Sequence, residues 1–392
     1  MAEREPEDGF HSTADSPSPI SPRKRRFFGL FDRDHRRNVF LLISILASLI
    51  LGLLAATIYL GVEVGERNQN GLSLSTNSLV SGQDPPENSP LENTAVAIIP
   101  ALNISDRQLV YQGKDMKLKF RTWSAATDAW SSDSYNLSSN LSPRNGTPLA
   151  ELTSANMSER KIFFVNDQNI LSDAFFDRNE GTWKLGSLAA SKNFQPAAES
   201  KLTAIMWNNG GTDTQWIYWQ DSQGFLQETG YISDEWKPGD ARKFQTDKIK
   251  ATFGSGITTA IRKMGGDEVL TIFAQLDKRI ISWGFHKGEW NSSYETVLES
   301  DKLPDVIEAL TATTTETDIT LYFSGKRFVS SVGWNNVTGW ENGIKKYAEG
   351  GAGLAAKKFG GKERVYFVKN DDEIGEFVVD GGQWNVTEFE EV

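Results

Sequence analysis

Three residues near the C-terminus have types and spacing that could do chemistry. Arg364 is followed twelve residues later by Glu376, and Glu376 eight residues later by Trp384. A guanidinium donates from a rigid fork, a carboxylate accepts, and an indole offers an apolar face. On adjacent antiparallel strands the charged pair could grip the vicinal hydroxyls of a sugar ring. It could equally be a cross-strand surface ion pair worth under about 1 kcal/mol. Other chemistries lack parts. There is no Cys, which removes thiol, disulfide and Cys–metal chemistry. The three His are His11, His35 and His286, too few and too scattered for a Ser-His-Asp relay or a multi-His zinc centre. No metal or other cofactor is implied. Asp371 and Asp372 are adjacent, so they face opposite ways on a strand or sit in a turn, and do not form an acid/base pair. A net charge of −11 argues against nucleic acid as a partner.

The elements that must position these residues repeat. Trp130, Trp183, Trp236, Trp290, Trp340 and Trp384 recur at spacings of 53, 53, 54, 50 and 44 residues, each after a short turn-like segment. Before most of them an apolar strand (IFFV, WIYWQ, LTIFA, TLYFS, RVYFV) runs into a polar turn and a second strand. Alternation with β-branched and aromatic enrichment reads as strands, and no helical stripe of useful length appears. Six repeats of about 50 residues, each of three to four short strands, predict an all-β, six-bladed β-propeller over residues 96–392. A single blade cannot bury both faces, so blades pack radially, and ring closure protects sheet edges without disulfides. The recurring Trp has a plain structural role available, as a wedge between blades.

The third repeat, LTAIMWNNGGTDTQWIYWQDSQGFLQETGYISDEWKPG, and the sixth, GLAAKKFGGKERVYFVKNDDEIGEFVVDGGQWNV, resemble blades of the fungal fucose-specific lectins. That resemblance spans roughly residues 95–392. It implies a six-bladed propeller binding fucose in pockets between blades. The family's blade pattern is Arg-apolar-Tyr-aromatic, a polar turn, a Glu on the next strand, then Trp. It maps onto Arg364, Glu376 and Trp384, with Tyr111 of the first blade as another aromatic, since chain order sets blade 6 against blade 1. Counting back twenty and eight residues from each Trp gives Trp216 and Glu228 in the third repeat, Leu270 and Ser282 in the fourth, and Thr320 and Val332 in the fifth. Glu228 keeps the carboxylate without the Arg. In the first two repeats Arg107, Lys161 and Asp173 lie nearby in an unassigned register. The expectation is one intact site in the last blade, with fucosylated glycans or glycoproteins as partners. The alternative is a propeller that lost the sugar and binds proteins.

The N-terminal part adds a membrane. Residues 39–62, VFLLISILASLILGLLAATIYLGV, carry no charge over 24 residues, and about 20 apolar residues span a bilayer. Residues 23–37 hold seven Arg and Lys, whereas the far flank opens with Glu63 and Glu66, so the positive-inside rule puts the N-terminus in the cytosol. Asn-x-Ser/Thr sequons occur at Asn103, Asn136, Asn140, Asn145, Asn156, Asn291, Asn336 and Asn385, all after this segment. Asn385 adjoins Trp384, so a glycan there would crowd a pocket in the last blade. The reading is a type II single-pass protein: disordered cytosolic tail 1–38, transmembrane helix 39–62 in the lipid bilayer, flexible stalk 63–95, then the propeller. The propeller would be lumenal or extracellular, on the plasma membrane or a secretory-pathway membrane. Such topology also suits glycosyltransferases, but the segment after residue 62 has no Asp-x-Asp. The stretch nearest a sialidase box, RNEGTW at 178–183, lacks the Ser and the Asp. No enzymatic activity is expected.

Overall fold

A computed structural model describes residues 89–387 apart from 93, 102–104, 132, 155, 192, 210–211, 240–248, 265–266, 316, 326–327, 342–344, 349–352, 370–372 and 381–382. Among side chains, 208–212, 264, 342–352 and 380–387 also lie outside it. The tail 1–38, the segment 39–62 and most of 63–95 therefore fall outside the described residues. Among those described, no helix is long and apolar enough to cross a membrane.

Six antiparallel sheets of four consecutive strands follow one another along the chain. Blade 1 runs through Val96–Pro100, Arg107–Gln112, Leu118–Ser124 and Ala129–Trp130. Blade 2 uses Ala150–Thr153, Arg160–Val165, Leu171–Asp177 and Thr182–Leu185, then a helical turn at Leu188–Ser191. Blade 3 uses Thr203–Asn209, Thr212–Gln220, Leu226–Ile232 and Glu235–Pro238. Blades 4 and 5 have their second strands at Asp267–Leu276 and Asp318–Gly325 and their third at Arg279–His286 and Phe328–Asn335. Blade 6 comprises Leu354–Phe359, Lys362–Val368, Ile374–Asp380 and Gln383–Thr387. Blades 1, 4 and 5 add a fifth short strand beside the third.

The first strand of each blade packs against the first strand of the next, and that of blade 6 against that of blade 1, so the ring closes. Each blade is built from its own segment, and closure needs no strand exchanged between the chain ends. The expected stalk reaches 95, yet residues 89–91 and 94 already contact the propeller. Pro90 bridges Gly113, the Leu91 amide donates to Gln112 O at 2.8 Å, and Thr94, fully buried, accepts from the Gln112 amide at 2.9 Å. Gly353 of blade 6 lies against the Thr94 carbonyl so closely that a Cβ would collide with it.

The core lies between blades, in clusters that each join two neighbours. The recurring Trp are the wedges. Trp130 stands edge-on to Tyr366 of blade 6 (5.9 Å, 89°), Trp236 to Phe163 (5.9 Å, 89°), Trp290 to Tyr218 (6.2 Å, 87°) and Trp340 to Phe273 (5.7 Å, 82°). Each Trp thus plugs into the blade before it, and each such pair adds about 0.5–1.5 kcal/mol beyond area burial. In blades 3 and 4 the turns ahead of them are two-residue hairpins that need positive φ, supplied by Ser233 and Asp234 (53° and 61°) and by Lys287 and Gly288 (50° and 89°).

Candidate functional site

At the junction of blades 6 and 1 the strand register makes Glu376 the partner of Tyr366, with Arg364 one strand repeat away on the same face. The Glu376 Oε1 atom accepts from Arg364 Nη1 at 2.5 Å, from the Tyr366 hydroxyl at 3.0 Å and from Arg107 Nη2 of blade 1 at 3.2 Å. The Arg107 guanidinium lies flat on Trp123 (3.6 Å to the ring centroid) and 5.4 Å from that of Trp130. Arg364 is 5.6 Å from the Trp123 centroid. Arg107 and Glu376 are 2% and 4% exposed, whereas the Arg364 side chain is 18% exposed. Burial lowers the pKa of Arg107 and pushes the Tyr366 phenol well above its usual range, so Tyr366 is a neutral donor. The expected Arg364–Glu376 pair is therefore in place, held by a second arginine that sequence spacing missed.

Tyr111 is 2% exposed and packs among Val96, Ile98, Leu109 and Tyr366. This corrects its assignment as a sugar-stacking ring: the face it would need is inside the inter-blade core. The aromatic faces at this junction belong to Trp123 and Trp130. The Trp384 side chain lies outside the described residues, as do Asn103 and the side chain of Asn385.

The same slot recurs at every junction, and the strand pairing fixes its residues. Opposite pairs Phe163–Asp173, Tyr218–Glu228, Phe273–Ser282 and Tyr322–Ser331 correspond to Tyr366–Glu376. The fourth and fifth repeats thus present Thr271 with Ser282 and Thr320 with Ser331, one residue away from two of the positions expected from counting. In blade 2 the slot holds Lys161 and Asp173, facing Tyr231 and Trp236 of blade 3; the Lys161 ammonium is 5.0 and 5.6 Å from their centroids. Gln215 stands where Arg107 stands in blade 1, and its Oε1 accepts from Lys161 Nζ at 2.9 Å. Asp173 is 2% exposed and its Oδ1 accepts from the Leu188 amide at 3.0 Å; burial raises its pKa. A Cβ on Gly186 would collide with its carboxylate. A cavity of about 410 Å³ opens beside Lys161 and Asp173, lined on the blade 2 side alone, by Arg160, Phe175, Phe176 and Gly186 among others.

Blade 3 closes its slot instead. Trp216, fully buried, takes the arginine position, donates from Nε1 to Thr214 Oγ1 at 2.8 Å and lies over Gly230. Glu228, 3% exposed, sits in that packed core. The described sequon residues Asn136, Asn140, Asn145, Asn156, Asn291 and Asn336 are all exposed.

The arrangement matches known proteins. The family model for fungal fucose-specific lectins matches residues 93–342, and the chain belongs to that family. The match stops before blade 6, so the Arg364–Glu376 pair lies beyond it. Among solved structures, the fucose-specific lectin of Aleuria aurantia is 18% identical, with a TM-score of 0.61 over 77% of this chain and 96% of that one. AofleA of Arthrobotrys oligospora is 17% identical, with a TM-score of 0.61 over 77% of this chain and 88% of that one. SapL1, solved with α-methyl fucoside, is 17% identical, with a TM-score of 0.59 over 77% and 97%. At these identities the likeness establishes the six-bladed propeller fold. No curated protein sequence matches.

Proposed function

We propose that this chain is a carbohydrate-binding protein of the fucose class, carried on a membrane, with sugar sites at the blade 2/3 and blade 6/1 junctions. One observation carries the reading. At both junctions a cation and a carboxylate from adjacent strands of one blade face two aromatic rings of the next. The cation donates to ring or hydroxyl oxygens, the carboxylate accepts from hydroxyls, and the rings cover the C–H face. At blade 2/3 the cation and carboxylate of the slot border an open cavity lined by blade 2. At blade 6/1 Arg107 occupies the carboxylate, and a sugar must displace it or bind above it. Relatives of this fold were solved with α-methyl-L-fucoside and Fucα1-6GlcNAc, which makes fucosides the first ligands to test. Titration of the full-length protein with α-methyl-L-fucoside should show saturable binding, weakened at least about tenfold (1.4 kcal/mol) by Asp173→Asn if blade 2/3 dominates and by Arg364→Ala if blade 6/1 does. Binding unchanged in both variants would move the sites elsewhere.

A protein-binding propeller is the second reading, favoured by the Arg107 plug and by Trp216 filling the blade 3/4 slot. Absence of binding to fucosides and to arrayed glycans by folded protein would select it. The membrane part rests on the uncharged stretch 39–62 and its basic flank. Resistance to alkaline carbonate extraction, together with an endoglycosidase-sensitive mass, would support a type II anchor with a glycosylated propeller outside the cytosol. Release by carbonate would exclude the anchor.

A further inference from the structure

The junction of blades 1 and 2 differs from both sugar slots. Its two slot positions carry Gln108 and Phe120, with no charge between them. The second strand of blade 2 nevertheless brings Arg160, the repeat equivalent of Arg107. Its guanidinium lies on Phe176 (3.8 Å to the centroid) and 5.8 Å from the Trp183 centroid, as Arg107 lies on Trp123 and Trp130. The difference is the acid. Arg107 meets Glu376, whereas the corresponding residue before Arg160 is Phe120. Arg160 is 2% exposed, gives one hydrogen bond, from Nη1 to Pro100 O at 3.2 Å, and leaves Nε and Nη2 without a partner. Among the described residues no carboxylate pairs with it. Burial and the neighbouring Arg178 lower its pKa to about 10, so it is charged at neutral pH. Buried, unpaired cations are costly and are normally matched by an acid.

A cavity of about 520 Å³ opens on this guanidinium, lined by Gln108 and Phe120 from blade 1 and Arg160, Phe176 and Trp183 from blade 2. Asp106 also lines it, with Oδ1 engaged by the Ala125 amide at 2.7 Å. We infer that this junction is an anion site, distinct from the fucose slots, that binds a carboxylate-bearing sugar residue. The ligand carboxylate takes the place that Glu376 fills at blade 6/1. The ring lies against Phe120, Phe176 and Trp183, and Gln108 serves its hydroxyls.

The test is calorimetric titration of the full-length protein with methyl β-D-glucuronide, methyl β-D-glucoside and acetate, after endoglycosidase trimming that leaves sequon residues as amides, because Asn136 lines the cavity. The glucuronide should bind saturably, at least tenfold tighter than the glucoside or acetate. Arg160→Met should abolish this binding while Arg364→Ala leaves it unchanged. Phe120→Glu supplies the missing acid internally, so it should raise the melting temperature and block the glucuronide. Glucuronide binding that survives Arg160→Met or Phe120→Glu, or no binding by folded wild type, would overturn the assignment. Acetate binding as tight as the glucuronide would overturn its sugar part.

Discussion

Glu376→Gln is the perturbation whose size follows most directly from the structure. Oε1 of Glu376 faces two guanidinium groups and a phenol, at 3.2, 2.5 and 3.0 Å. At an effective dielectric constant of about 20, a unit pair at the Arg107 separation attracts by about 5 kcal/mol before desolvation is counted. The net value of the pair is far smaller, because both ions left water to form it. The loss on breaking it is not small: Arg107, 2% exposed, keeps its charge and its burial and loses its partner. Removing one member of such a pair costs about 3–5 kcal/mol. The amide retains an acceptor and Trp123 continues to cover the guanidinium, so the lower half of that range applies. For a domain of this size it corresponds to a fall in Tm of about 5–10 °C. Differential scanning calorimetry and urea unfolding should report it as a lower midpoint with an unchanged slope. Arg107→Met with Glu376→Gln should recover most of the loss, since an apolar replacement leaves no orphaned charge. A Tm change below about 2 °C in Glu376→Gln, or losses that simply add in the double variant, would refute the claim that Arg107 depends on Glu376.

Arg107→Gln, which copies Gln215 of blade 3, should raise fucoside affinity at the blade 6/1 junction, measured by calorimetry, because it unplugs the carboxylate. Asp173 has its pKa raised by burial, so its ionised form weakens the fold: the penalty is absent below the unfolded pKa and complete above the folded one. Asp173→Asn should therefore raise Tm at pH 7 and converge on wild type as pH falls below about 4, while fucoside binding at blade 2/3 is lost. Gly186→Ala should cost about 1–3 kcal/mol by overpacking against Asp173 and weaken the same site, read by urea unfolding and fucoside titration. Trp236→Ala should cost about 3–5 kcal/mol as a lost wedge, with a matching fall in urea midpoint.

The fold was legible because its signal is periodic. Six Trp at near-constant spacing, each after a hairpin turn, mark six blades, and every described one proved to be the wedge that locks its blade to the one before. The Arg364–Glu376 pair was legible because both residues lie on one hairpin. Arg107 was not, because its partner lies 269 residues away and only ring closure brings them together. Lys161 and Asp173 were in view but left without a register for a different reason. Counting back from Trp assumes a constant turn, but the third and fourth strands of blade 2 are separated by residues 178–181, against 233–234 in blade 3. Two extra residues shift the count onto Phe163 and Phe175, which face the same way yet carry no charge. In blade 4 the turn before the third strand is one residue shorter, which puts Thr271 in the slot in place of Leu270; in blade 5 the turn after the third strand, 336–338, is one residue longer than in blade 3, which puts Ser331 there in place of Val332.

The fillings of the slot are ordered around the ring. Cations on the second strands face the junctions 6/1, 1/2 and 2/3 through Arg364, Arg107, Arg160 and Lys161. At the next three junctions the same positions hold Trp216, Leu270, Thr271, Ile319, Thr320 and Glu363. Stability alone gives no reason for this asymmetry. A buried ion pair does little better than well-packed apolar groups, and an unpaired cation such as Arg160 does worse. The Trp216 filling shows that this scaffold can put an aromatic ring where other blades have a cation, although Glu228 stays buried beside it. At these slot positions the cations are confined to one arc, which is where the proposed sugar sites fall; the buried cation of blade 4, Arg262, lies on the first strand and is paired with Glu295 at 2.9 Å. A ligand array presenting several sugars would then engage neighbouring junctions together, and avidity would depend on their spacing along that arc rather than on six sites spread round the ring.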